Sequence, residues 1–345
     1  MIRFRQEEEW MQFLDPSNEW RPFARKTEVR YDPLTGESAR ILYYPMGALQ
    51  PPDYTALIEQ TAGSRCPFCA ENVLKATPMF PAEWGVSRFG RGGALLFPNM
   101  FPYAKHSAVG VFSDQHYVSL EQFTAQMLND GWMTALDYVK AIAKQDAKTR
   151  WASVNWNYMP LAGGSIIHPH LQIVASPAPT NYQRVTARAS AEYDERYGSS
   201  YYLDLVREEQ QLGERNLFRS RECTWLLAYA PQGLMDVNLV MENAKTAQDV
   251  GEEEIGIFSK GLVSLMRYLK SEGFISFNLS LYLPLEEMKG YRVHARIVPR
   301  TTLGGLGTSD INYFKALHNE ALALKSPEAI ATELRPYFNA QGSMI

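Results

Sequence analysis

Apolar and polar positions alternate along much of the chain, and the period of that alternation changes several times. Residues 27–44 alternate singly, with Tyr31-Asp32-Pro33-Leu34-Thr35-Gly36 as a turn between two predicted strands. Ahead of them, residues 1–22 form a polar–apolar arm with a short helix predicted around Glu7–Leu14, before Pro16. Residues 45–65 read as loop. Gly90-Arg91-Gly92-Gly93 precedes the apolar run Ala94–Phe97, and 107–113 reads as a buried strand. The period then lengthens. Leu120, Phe123, Met127, Trp132, Leu136, Val139 and Ile142 recur at helical spacing and predict a helix within 120–145. Strands follow at 151–158 and 165–176, then a polar stretch, 178–215, read as a loop and a helix. A similar order returns in the second half. Strands fit Thr224–Ala230 and Asn238–Met241, a helix fits Glu252–Glu272, and strands fit Ile275–Leu283 and Arg292–Val298. This weak repeat predicts a duplicated α+β unit, each copy an antiparallel sheet with packed helices. The divisions expected are an arm (1–22), a first unit (23–215) and a second unit (216–345).

One strand stands apart from the others. In Gly163-Gly164-Ser165-Ile166-Ile167-His168-Pro169-His170-Leu171-Gln172-Ile173-Val174, alternation puts His168, His170 and Gln172 on one face. Pro169, Leu171 and Ile173 take the other. Pro169 has no N–H, so an edge position or a bulge is expected there. A lone strand histidine is ordinarily a hydrogen-bonded core residue. Two histidines and a glutamine on one face, after Gly163 and Gly164, form a platform to which a phosphate could come close. A neutral imidazole is a good nucleophile near pH 7, so His170 is the candidate nucleophile. Gln172 can donate to a phosphoryl oxygen but cannot deliver a proton. That favours a phosphate leaving group and a phosphate acceptor over an amine, an alcohol or water. The counterpart in the second half, His294-Ala295-Arg296-Ile297-Val298, lacks the full reactive set.

Composition narrows the setting. The chain has 345 residues, 46% apolar and 21% charged, as expected of a globular protein of about two domains. A net charge of −4, from 34 basic and 38 acidic side chains, gives no case for binding nucleic acid or an anionic membrane. No apolar run is long enough to span a bilayer, and Gln6-Glu7-Glu8-Glu9 is unlike a signal peptide, so a cytoplasmic protein is expected. Three cysteines do not make a disulfide framework. Cys66-Pro67-Phe68-Cys69 instead reads as a knuckle placing two thiolates on one metal. For the remaining places His116 is the better third ligand, with His106 its competitor, and His168 the better fourth. The closed Cys₂His₂ set would be a structural zinc site. Cys223 reads as a core thiol.

These residues resemble the galactose-1-phosphate uridylyltransferase-like branch of the histidine-triad (HIT) superfamily. The resemblance runs in order through Asp32-Pro33-Leu34-Thr35-Gly36, Cys66-Pro67-Phe68-Cys69 with Asn72, Asn99-Met100-Phe101, Phe112-Ser113-Asp114-Gln115-His116, Asn157 and His168-Pro169-His170-Leu171-Gln172. It implies two tandem HIT-like domains, commonly a homodimer, and ping-pong transfer of a nucleoside monophosphate through His170. It implies zinc on Cys66, Cys69, His116 and His168. Asn157, Ser165 and Gln172 would contact the phosphates, Gly163, Gly164, Asn99 and Phe101 would also bind substrate, and the His168 carbonyl would orient the His170 ring. The sequence also departs from the branch. Where two arginines are expected, the loop reads Pro45-Met46-Gly47-Ala48-Leu49-Gln50-Pro51, and Met100 stands where an acidic residue would hold ribose. Arg296 stands where a histidine would support a second-half iron cluster, and the stretch around Asn312–Glu320 is altered. Arg88 and Arg91, flanking Gly90, are candidates for a replacement phosphate clamp.

Three functions are therefore set against one another. The first is a nucleotidyltransferase acting on a nucleoside diphosphate sugar and a sugar phosphate or other phosphate acceptor. The second is a nucleotide-sugar or dinucleoside polyphosphate phosphorylase or hydrolase on the same scaffold. The third is a non-catalytic, zinc-stabilised nucleotide-binding protein.

Overall fold

The stretch Glu7–Leu14, expected as a helix, is a strand. In the computed structural model, which describes residues 2–44, 47 and 49–342, β1 (Arg5–Asp15) pairs antiparallel with β2 (Arg21–Tyr31) in a long hairpin. Two strands that pair along their whole length satisfy every second backbone group, which a two-turn helix in water does not offset. Trp10, Met11, Leu14 and Trp20 are exposed on this hairpin. β2 continues into β3 (Ser38–Ile41), with Asp32 Oδ1 accepting from the backbone N–H groups of Leu34 and Thr35 in the turn. Pro45, Met46 and Ala48 of the predicted loop lie outside the described residues. The short helices α1 (Thr55–Thr61) and α2 (Val73–Ala76) flank the cysteine knuckle.

The first unit then runs β4 (Phe89–Arg91), β5 (Ala94–Pro98), β6 (His106–Val111), α3 (Ala125–Gln145), β7 (Trp151–Tyr158) and β8 (His170–Ser176). Helix α3 starts later than 120 because Thr124 caps it, its side chain accepting from Met127 N. Helices α4 (Asn181–Tyr197) and α5 (Tyr201–Leu212) follow where one helix was expected, split by Gly198 in a left-handed conformation. The second unit repeats the order with β9 (Asn216–Ser220), β10 (Cys223–Leu227), β11 (Val237–Met241), α6 (Glu252–Ser271), β12 (Ser276–Pro284) and β13 (His294–Arg300). The chain ends with β14 (Thr302–Leu303), β15 (Thr308–Ser309), α7 (Tyr313–His318), β16 (Ala321–Ala323) and α8 (Pro327–Gly342).

Ten strands form one sheet in the order β4-β5-β6-β8-β7-β12-β13-β11-β10-β9. Read outward from its middle, each half has the same topology. The predicted duplication is therefore present, with one further edge strand, β4 or β9, in each copy. The copies meet where β7 and β12 pair antiparallel, Asn157 opposite Asn278 and Asn155 opposite Ser280. Strands from before and after residue 215 thus belong to one sheet. One face carries α3, α6 and α8 over a continuous core that includes Trp132, Trp156, Trp225 and Phe258. Trp156 of the first copy packs against Phe277 of the second, ring centroids 5.0 Å apart. The other face is polar at its centre, around Asn157, Gln172 and Asn278, with smaller apolar clusters on either side of it, and α4 crosses part of it.

β8 is a central strand flanked by β6 and β7, and it starts at His170 and not at Ser165. Pro169 lies just outside it, so no ladder hydrogen bond is lost and neither an edge nor a bulge is needed.

Candidate functional site

The cysteine knuckle and the two histidines converge. The ligand atoms of Cys66, Cys69, His116 and His168 all lie within 4.8 Å of one another. Sγ of Cys69 is 3.5 Å from Nδ1 of His116 and 3.9 Å from Nδ1 of His168, and Sγ of Cys66 is 3.8 Å from Nδ1 of His168. A tetrahedral zinc with ordinary Zn–S and Zn–N bonds needs S···N edges of about 3.6 Å, so the four atoms stand where such an ion would hold them. The outer ring nitrogens are engaged as well. His168 Nε2 donates to the Ser113 carbonyl (2.8 Å), and His116 Nε2 is 3.1 Å from the Thr61 hydroxyl. The Ser113 carbonyl can only accept, and the Thr61 hydroxyl gives its hydrogen to the Leu57 carbonyl (2.8 Å), so both rings carry their proton on Nε2 with Nδ1 free for a metal. Burial lowers the His168 pKa to about 4 and raises that of the Cys66 thiol to about 11. His106, the competing third ligand, is elsewhere, with Nε2 2.8 Å from Asp146 Oδ2.

Two residues past His168 the chain enters β8. The His170 side chain is buried, with Phe68 packed on it at a 5.4 Å centroid distance. Its Nδ1 donates to the His168 carbonyl at 2.8 Å, which leaves Nε2 as the unprotonated nitrogen of the neutral ring. Burial lowers its pKa. One strand away, Asn157 faces Asn278. Asn155, opposite Gln172, donates through Nδ2 to the Gln172 carbonyl (3.1 Å) and accepts from Ser280 Oγ (2.8 Å). The Gly163-Gly164 turn folds back on β7. A Cβ on Gly164 would lie 2.8 Å from the Asn157 carbonyl, so only glycine fits there. Gly163 and Ser165 are exposed at the rim. Asn99 Oδ1 accepts from Phe101 N (2.9 Å) and so holds a turn that leaves the Phe101 ring 75% exposed, an open face on which a base could stack. This turn is tied to Ser107, which pairs with Val174, so it lies farther along β8 than the imidazole.

Arg88 and Arg91 do not converge on this face. Arg88 donates to the Thr77 carbonyl (2.8 Å), and Arg91 is held between Asp130 and Glu252 on the helical side. Asn278, Arg300 and Asp310 are residues that sequence reading missed. Their only signal was polar alternation along β12, at Asn278 and Ser280.

The second copy preserves the backbone setting of the imidazole but closes it. His294 Nδ1 donates to the Arg292 carbonyl (2.9 Å), as His170 does to His168, yet its Nε2 meets the Tyr182 hydroxyl at 3.0 Å. Arg296, in the place of Gln172, is paired with Asp236. Among the described residues the set in the first copy is the one group of three or more side chains placed to hold a metal.

Fold and site together define a class: a tandem HIT-like α+β protein with, among the described residues, one Cys₂His₂ cluster and beside it an imidazole whose Nε2 has no protein partner. No family model matches the chain. An uncharacterised protein of Archaeoglobus fulgidus is 30% identical over 308 residues, 89% of this chain and 91% of that one. A galactose-1-phosphate uridylyltransferase of Streptomyces lividans is 24% identical over 225 residues, 62% of this chain and 56% of that enzyme. The solved ADP-glucose phosphorylase of Arabidopsis thaliana, with bound ADP-glucose, superposes with a TM-score of 0.69 at 15% identity, covering 90% of this chain and 98% of that one. The chain belongs to one family with the archaeal protein, and its fold is that of the galactose-1-phosphate uridylyltransferase-like branch of the HIT superfamily.

Proposed function

We propose that this protein moves a nucleoside monophosphate from a nucleoside diphosphate sugar to a phosphate acceptor through a covalent nucleotidyl-histidine on His170. The observation that carries this reading is the 2.8 Å bond from His170 Nδ1 to the His168 carbonyl, which puts the lone pair on Nε2, a nitrogen that no protein group meets among the described residues. Nε2 attacks the α-phosphorus, and the P–O bond to the sugar phosphate breaks with its electron pair on the leaving oxygen. An acceptor phosphate oxygen then attacks the same phosphorus, and the electron pair of the P–N bond returns to Nε2. Both departing groups need no proton, which suits Gln172 as a donor of hydrogen bonds only. Asn157, Gln172, Ser165 and the Gly163-Gly164 turn contact the phosphates, and Asn99 and Phe101 receive the nucleoside. Cys66, Cys69, His116 and His168 hold a structural zinc, which when bound fixes the residue whose carbonyl orients His170.

Inorganic phosphate as the acceptor is the second reading. The stretch Pro45–Pro51 holds no basic residue to clamp a sugar phosphate, and a structural neighbour is an ADP-glucose phosphorylase. A homodimer belongs to the same proposal, and light scattering tests it.

The test is intact-protein mass spectrometry after mixing with ADP-glucose or UDP-glucose. The parent is expected to gain the mass of one nucleoside monophosphate and His170→Ala nothing. Added inorganic phosphate discharges the adduct to a nucleoside diphosphate in the phosphorylase case. A folded, zinc-loaded parent that never gains mass removes the covalent route.

A further inference from the structure

One run of side chains between the two units has its hydrogen-bond polarity fixed at every link. A carboxamide can be turned end for end with little change of shape, so its partners decide its orientation. The partners of Asn278 cannot be reversed. Its Oδ1 lies 3.1 Å from Arg300 Nη1, which can only donate, and its Nδ2 lies 2.7 Å from the Ala162 carbonyl, which can only accept. Arg300 is itself held by Asp310, Nε to Oδ2 and Nη2 to Oδ1, both at 2.8 Å. The other hydrogen of Asn278 Nδ2 goes to Asn157 Oδ1 at 2.7 Å. Asn157 must spend its oxygen on this bond. Its own NH₂ is thereby turned away from Asn278, and no protein acceptor takes it among the described residues.

We propose that Asn278 is a positioning residue: it aims the NH₂ of Asn157 at the phosphoryl oxygens of the nucleotide and, through the Ala162 carbonyl, holds the Gly163-Gly164 turn against the same group. This rests on the reading of Asn157 as a phosphate contact. The carboxylate of Asp310, on the segment joining β15 to α7, thus decides which end of a side chain in the first copy meets the substrate. Arg300 and Asp310 act only by keeping Asn278 the right way round.

A double-mutant cycle tests this, with ADP and UDP affinity measured by calorimetry on the full-length zinc-loaded protein. Asn278→Ala is expected to weaken the tighter nucleotide about tenfold, and less than twofold once Asn157 is already alanine. Asn278→Asp has almost the same shape but no NH₂ to give. It is expected to weaken binding more than alanine does, because Asn157 then turns its NH₂ toward the new carboxylate, and it carries the cycle should the alanine variant not fold. Equal losses in both backgrounds, at melting temperatures within a few degrees of the parent, overturn the positioning role and leave Asn157 as a contact. If Asn157→Ala binds as well as the parent, or the parent binds neither nucleotide, the phosphate reading fails and the positioning role with it.

Discussion

Two imidazoles in this chain share a backbone setting and differ in what meets Nε2. For His170 no protein partner meets that nitrogen among the described residues, whereas for His294 it meets the Tyr182 hydroxyl. The neighbour two residues on differs too, Gln172 against an ion-paired Arg296. If Gln172 stabilises charge on the transferring phosphoryl group, Gln172→Ala slows adduct formation about 10²-fold. Single-turnover kinetics should show this with donor affinity changed less than threefold, and a loss confined to affinity refutes the role. A different titration belongs to Glu209, fully buried, with Oε1 2.9 Å from Arg215 Nε. Burial raises its pKa to about 7 despite that arginine. Burial also pushes Glu328 up, but Arg30 and Arg215 outweigh it and bring it to about 2. A carboxyl whose pKa is raised on folding contributes stability that is complete below its unfolded value, near 4.5, and is lost as pH climbs through 7. The melting temperature of Glu209→Gln, relative to the parent, should therefore rise between pH 4.5 and 7 and then level off. A difference that is flat with pH argues against the shift.

Elements carry their own marks of close packing. In α3, a Cβ on Gly131 would lie 2.3 Å from the Phe112 ring, and in α6 a Cβ on Gly261 would meet the Trp225 ring at the same 2.3 Å. The duplicated helices each let an aromatic ring against their backbone. Gly131→Ala should cost about 1–3 kcal/mol through overpacking. Gly256→Ala, in the same helix as Gly261 but facing open space, should stabilise by up to about 1 kcal/mol. Denaturant melts separate the two, and similar effects in both would deny the contact. Much of this scale was legible beforehand. Periodicity found α3, α6 and the strands of both copies, because their buried faces are long. It missed β9 and α1, which are short, and α8, which carries Pro336 within it, and it misread the hairpin. Trp10, Met11 and Leu14 repeat as an exposed amphipathic helix would, and only pairing with β2 makes that stretch extended. At the site, the convergence of Cys66, Cys69, His116 and His168 was legible because cysteines and histidines are scarce in this chain and two of the cysteines have metal-knuckle spacing. Asn278 and Arg300 were not, since a polar residue on an exposed strand face looks like any other until the fold sets it beside Asn157.

The whole molecule is a sheet closed by pieces far apart in sequence. The Cys₂His₂ cluster joins the knuckle at Cys66 to the entry of β8, so if it holds the proposed zinc, stripping the metal should lower the melting temperature and abolish adduct formation together. Metal analysis should find close to one zinc per chain, and adduct formed at the parental rate by metal-free protein would show that the ion is not structural. No helix among the described residues is long and apolar enough to cross a membrane. At the other end of the fold, β16 pairs parallel with β3, Ala321 beside Ala39. This small clasp joins segments about 280 residues apart, and it cannot be held until the ten-stranded sheet between them has brought both ends to one place. It is therefore expected to be the last part of the molecule to assemble and the first to open. Pulse-labelled refolding should find the amide of Leu42, which donates to the Ala323 carbonyl, protected after those of β7 and β12, so the chain reaches its finished state from the middle of the large sheet outward.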